Sequence, residues 1–201
     1  EHSSNLGSSK ARHELAWIYL THSAHRNEEK AIELLEGNKV NLNSASILSQ
    51  IYMKKGDVHK AIHLLRELSQ QYHFPSMLLL GKILLESPES SGEGFQMIQK
   101  CAELSNNLEA IRNVGICFSQ GRGTEKDEKQ AIQWFEKASS RDDAASHFYI
   151  AELYTFGERA SSSDVQVLAL QHLRNALLIG LDDSLKEKAN QLVQDLCSRF
   201  R

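Results

Sequence analysis

An eight-residue pattern recurs five times along the chain, and few folds can accommodate it. It reads AIELLEGN from Ala31, AIHLLREL from Ala61, GFQMIQKC from Gly94, AIQWFEKA from Ala131 and ALQHLRNA from Ala169. The first place is always Ala or Gly, and the second and fifth are always large and apolar. Places one, two, five and eight share one face of a 3.6-residue helix, and the small first residue lets another helix approach closely. A second pattern precedes each copy: a small residue, then an apolar–small pair, then an anchor that is aromatic in four copies of the five. The anchors are Tyr19, Tyr52, Leu84, Phe118 and Tyr154, spaced 33, 32, 34 and 36 residues apart. Two amphipathic helices in every such interval are the mark of an α-solenoid.

The breaks between patterns carry turn chemistry. Gly56, Gly121 and Gly157 follow their anchors by three or four residues, where a left-handed C-terminal cap is expected. The third repeat has Ser87-Pro88 there instead. Asn27 and Asp57 are placed to cap second helices. These marks divide the chain into a flexible N-terminal arm, 1–9, and repeats 10–41, 42–73, 74–106, 107–142 and 143–181. A tail helix, 182–201, carries Leu185, Ala189, Leu192, Val193, Leu196 and Phe200 on its apolar face, with Asp182, Asp183 and Ser184 at its start. Such a helix would cap the core of the last repeat.

The segment AIRNVGICFSQGRGTEKDEKQAIQWFEKA resembles a Sel1-like repeat. Gly121 and Gly123, Asp127, Lys129, Ala131, Trp134 and Lys137-Ala138 carry the likeness. The segment SASILSQIYMKKGDVHKAIHLLREL, with a shorter turn between Tyr52 and Ala61, resembles a tetratricopeptide repeat. The resemblance implies an all-α, right-handed α-solenoid of about five helix-turn-helix repeats with a C-terminal capping helix. It also implies that the first helix of each repeat lines a concave face. Offsets from the anchors then assign to that face His13, Trp17, Leu20, Ser46, Gln50, Met53, Leu78, Lys82, Leu85, Arg112, Ile116, Ser119, Phe148, Glu152 and Thr155, with Phe156 close by. Seven of these are large and apolar. Two arrangements are open: the seven are packed between neighbouring repeats, or they hold a partner peptide or amphipathic helix. His13 and Trp17 occupy the places where some tetratricopeptide domains carry a Lys–Asn clamp for a C-terminal carboxylate, and they do not supply it.

Composition narrows the function classes. A net charge of −3 gives no basic excess for a phosphate backbone, so no nucleic-acid partner is expected. No apolar run approaches the ~20 residues of a membrane span. Three scattered cysteines, Cys101, Cys117 and Cys197, do not form a disulfide framework, and there is no N-glycosylation acceptor. A reducing, cytoplasmic setting is the expectation. His22 and His25 flank a loop dipeptide, and His59 and His63 stand four apart on a helix, but neither set has an evident third metal ligand. The sequence HELAW from His13 does not complete an HExxH motif, and GRG at 121–123 follows a helix rather than a strand, so it is not a phosphate loop. The chain is therefore read as a non-catalytic interaction scaffold or adaptor, without cofactor or metal, whose partner is another protein. The alternatives are self-association through the N-terminal end and, more remotely, histidine-based metal chemistry.

Overall fold

The fold is an all-α solenoid, described from a computed structural model that covers residues 2–22, 26–38, 41–157, 160 and 162–199, the side chains of 2–7 and 199 excepted. Its helices run α1 His2–Thr21, α2 Glu28–Glu36, α3 Leu42–Lys55, α4 Val58–Gln70, α5 Phe74–Leu85, α6 Ser91–Ser105, α7 Leu108–Gln120, α8 Glu128–Ser139, α9 Ala144–Phe156, α10 Ser163–Ile179 and α11 Asp183–Arg199. There is no strand among the described residues. Two compact units divide the chain, residues 1–80 and 81–201.

In the first unit, α1 packs on α2, α2 on α3 and α3 on α4. The small residues Ala16, Ala31, Ala45 and Ala61 lie at the helix contacts, and Leu35, Leu48, Leu64 and Leu68 fill the space between. Asn27 caps α2 by accepting from Lys30 N at 3.0 Å. Gly56 closes α3 in the left-handed conformation, φ 81°. Asp57 makes no cap hydrogen bond; its carboxylate pairs with Lys60 Nζ at 3.4 Å instead. The arm expected over residues 1–9 is also corrected, because α1 is helical from His2 onward. Asn38 explains how this end is held. It is 3% exposed, donates to Ser9 O at 2.7 Å and accepts from Ser9 Oγ at 2.7 Å. Asn38 stands at the eighth place of the first repeat, where the later copies put Leu, Cys or Ala, and it satisfies its buried amide through these bonds.

In the second unit the helices pack α6 on α7, α7 on α8, α8 on α9 and α9 on α10, with α11 against both α9 and α10. Repeat three, which has no aromatic anchor, is closed by glycines: a Cβ on Gly94 would lie 2.7 Å from Gly81 O. The two backbones are already at contact distance there, so neither glycine can carry a side chain. Repeat four seats Phe135, fully buried, over Gly115. Gly121 (φ 68°) and Gly123 (φ 72°) make the Gly-x-Gly turn, which lies so close to Ser91 O that a Cβ on Gly123 would come within 2.2 Å. Between the glycines, Arg122 donates to Leu85 O and pairs with Glu86 at 3.1 Å. Gly157 departs from expectation: its φ of −78° and ψ of −173° are extended rather than left-handed. In the tail, Asp182 Oδ1 accepts from Leu185 N at 2.9 Å, and Ala189, Leu192 and Leu196 are buried against Phe148, Leu173 and Ala176. Phe200 lies outside the described residues.

Candidate protein-binding cleft

The first helices of the first two repeats and the start of α5 enclose a cleft of about 580 Å³. Four α1 residues line it, His13, Glu14, Trp17 and Ile18; α3 contributes Asn43, Ser46 and Ile47, and His73 and Pro75 close it. Helical spacing explains the grouping, since 13, 14, 17 and 18 share a face of α1 and 43, 46 and 47 a face of α3. Trp17 is 52% exposed and Ile18 39%.

Two imidazoles are fixed at the edges of this apolar surface. His13 Nδ1 lies 3.0 Å from Ser44 Oγ, and that hydroxyl accepts from Asn38 Nδ2 at 3.0 Å. His73 Nδ1 lies 2.8 Å from Ser76 Oγ, and burial lowers the His73 pKa. A serine beside a histidine invites comparison with an activated nucleophile. Here Ser44 and Ser76 are both fully buried, so no substrate could reach either oxygen. The serines orient the rings, and the cleft can receive an apolar side chain flanked by polar groups.

The residues assigned to the concave face divide three ways. In the first unit His13, Trp17 and Ser46 meet in the cleft. Leu20 and Met53 pack against the core, Leu78 is 7% exposed, and Gln50 faces solvent. In the second unit Phe148 is 2% exposed, Leu85 9% and Thr155 1%, so these belong to the interior. Ile116 packs against the cluster of Ala131, Phe135 and Ile150. Ser119 donates to Ile116 O, Lys82 pairs with Glu109 at 2.9 Å, and Arg112 pairs with Asp143. Glu152 and Phe156 are exposed. Of the apolar stripe expected along successive first helices, then, Leu78, Leu85 and Phe148 are corrected to core, because each is less than a tenth exposed.

Glu14, Ile18, Asn43, Ile47, His73 and Pro75 escaped the sequence reading. Fixed offsets sampled three places per helix and could not show that the cleft sits towards the starts of α3 and α5. Pro75, in the first turn of α5, was the signal available. A second hollow, about 350 Å³, lies on α1 and α2, lined by Leu15, Tyr19, Leu34 and the charged residues Arg12, Lys30 and Glu33.

No group of three or more metal-ligating side chains occurs among the described residues. His63 lies 3.8 Å from Glu67 on an exposed face of α4, and His25 lies outside the described residues. Cys101 and Cys117 are buried thiols; burial raises the pKa of both, Cys117 to about 11, with Arg122 opposing the shift there. Such thiols are poor nucleophiles at neutral pH.

Residues 9–36, 49–73 and 108–143 match the Sel1 repeat family. The chain carries Sel1 repeats over these three stretches. Its fold is similar to that of a Sel1 repeat protein from Oxalobacter formigenes (TM-score 0.74, 18% identity, covering 89% of this chain and 76% of that one). It is also similar to a protective antigen of uropathogenic Escherichia coli strains with an SLR fold (TM-score 0.66, 24% identity). That match covers 98% of this chain but 47% of the antigen, so the chain spans about half the antigen's length. A third similar structure is YrrB, a TPR protein with an unusual peptide-binding site (TM-score 0.55, 18% identity, covering 94% and 88%). No curated protein sequence matches the chain significantly. Among the described residues no helix is long and apolar enough to cross a membrane.

Proposed function

We propose that this Sel1-like chain is a non-catalytic interaction scaffold or adaptor that binds a peptide or helix of a partner protein in the cleft of α1, α3 and α5. One observation carries the reading: a tryptophan half-exposed on the wall of an apolar cleft. Aromatic side chains in concave, largely apolar sites are favoured binding anchors. The fold adds support, since repeats of this class commonly mediate protein–protein contacts, and YrrB is a structural neighbour with a peptide-binding site. Trp17 would supply most of the affinity, with Ile18, Ile47 and Pro75 excluding water around it.

Peptides selected from a random library on the intact protein test this. Trp17→Ser is expected to weaken the selected peptides by about tenfold or more while the melting temperature changes little. Val58→Ser, a change on α4 at a residue 37% exposed, is expected to leave binding intact. Equal affinity for Trp17→Ser and the parent protein rejects the cleft. The α1–α2 hollow, where Leu15 is 42% exposed, favours a second reading, self-association through that end. Sedimentation would show it as mass rising with concentration in the parent protein and not in Leu15→Glu.

A further inference from the structure

His147 on α9 and His172 on α10 face each other in the second unit. Their Nδ1 atoms are 2.9 Å apart, and the ring centroids 5.1 Å apart with a 45° tilt. Two imidazole nitrogens at this distance must share one proton: one ring donates Nδ1–H and the other accepts with its lone pair. The pair is half-buried and joins the two helices of repeat five. We propose that it is a proton-sensitive clasp, closed while at least one Nδ1 is unprotonated, whose second protonation separates α9 from α10 and uncovers the apolar face around Phe148.

The electrostatics assign an order to the protons. Asp142 and Asp143, at the start of α9, favour charge on His147, although burial lowers its pKa overall. Asp143 is itself held by Arg112 from α7 and by Ser146. A first proton on the outer nitrogen of the donating ring leaves the Nδ1–H···Nδ1 bond in place and makes it charge-assisted. The second proton has only the facing Nδ1 to occupy, and two N–H groups then point at each other. His172 takes that second proton late: burial, then the neighbouring His147, push its pKa down to about 4.

Burial and the neighbouring His147 are the causes that act on His172. The Tyr154 and His172 rings stand in a T-shaped arrangement with centroids 5.9 Å apart. From α11 and its cap, Lys188 acts on Glu152 and Asp182 on Tyr149. From α8, Lys137 sits over Trp134, and Glu128 lies by Gly157 at the far end of α9. Phe148 is adjacent to the clasp in sequence and packs with Ala151, Leu173 and Leu192, so parting of the helices opens that cluster first.

The sign follows from linkage. A histidine whose folded pKa lies below the unfolded value of 6.5 stabilises the fold fully above that value, and the contribution is lost as the pH falls towards about 4. Amide hydrogen exchange on the intact chain, corrected for the intrinsic pH dependence of exchange, tests the clasp between neutral pH and about pH 4. Residues 144–179 are expected to lose about tenfold or more of their protection while residues 42–70 keep theirs. His172→Asn places an amide where Nδ1 stands and does not titrate, so it should keep the clasp and abolish the acid-dependent part. His172→Leu, with no polar partner for His147, should loosen 144–179 already at neutral pH. Uniform loss of protection along the chain, the same acid response in His172→Asn as in the parent, or a His172 proton resonance titrating at the ordinary imidazole value would each overturn the proposal.

Discussion

Phe135 and Phe148 are both closed off from water, at 0% and 2% exposure, whereas Trp17 is half-exposed. Phe135 lies over Gly115, where even a Cβ would stand 2.6 Å from the ring. Truncation there leaves a hole that the backbone cannot fill. Phe135→Ala and Phe148→Ala should each cost about 3–5 kcal/mol, and Trp17→Ala less than about 1 kcal/mol. Urea unfolding of the three variants checks this, and a Phe148→Ala variant as stable as Trp17→Ala would return Phe148 to the accessible surface. The contrast also shows what a single sequence can reveal. The period alone placed Phe135, because the fifth position of a recurring pattern must face the shared core. Phe148 lies on the first helix, where the neighbouring helices decide whether a large side chain is covered, and no local pattern encodes that. Asn38 shows the same limit: a polar residue at a core position reads as an error until Ser9 and Ser44, 29 and 6 residues away, satisfy it.

Helix starts were legible in part. Asn27 and Asp182 each accept from a backbone N–H three residues on, as expected, whereas Asn41, Asn107 and Asp127 cap α3, α7 and α8 without having been read as caps. The start of α1 was not legible, because residues 2–9 are mostly polar and carry a glycine, a composition that says loop, yet the helix runs from His2. Gly157 misled for a related reason: glycine permits a left-handed cap without requiring one. At this scale α11 supplies the clearest test. Its Ala189, Leu192 and Leu196 cover Leu173 and Ala176 of α10, and a buried leucine is worth about 1.5–3 kcal/mol. Deleting residues 182–201 should therefore lower the melting temperature by several degrees, on the order of 2–4 °C for each kcal/mol lost, and reduce solubility. A truncated chain that melts where the parent does would make α11 a separate arm rather than a cap.

A solenoid is held together by neighbour-to-neighbour contacts, so its parts can differ in stability. The boundary between the two units falls inside α5, at Leu80 and Gly81. The first unit begins with a helix that leaves Leu15, Trp17 and Ile18 about two-fifths to one-half exposed. The second holds the Phe135 cluster and the α9–α10–α11 cluster, together with the Gly-x-Gly turn against Ser91 and the Arg112–Asp143 pair, which ties α7 to the start of α9. Unfolding should therefore begin in the first unit. The chain has two tryptophans, and they fall one in each: Trp17 on α1 and Trp134 on α8. In Trp134→Phe the fluorescence reports only the first unit, and in Trp17→Phe only the second. Both replacements are conservative, and circular dichroism at the helix band would show whether either shifts the whole transition. The expected outcome is an earlier urea midpoint for the Trp17 signal than for the Trp134 signal, with the helix band following a curve that spans both. Coincident midpoints across the two probes and the helix band would show that the repeats melt as one cooperative body, and the lower stability assigned to residues 1–80 would then be wrong.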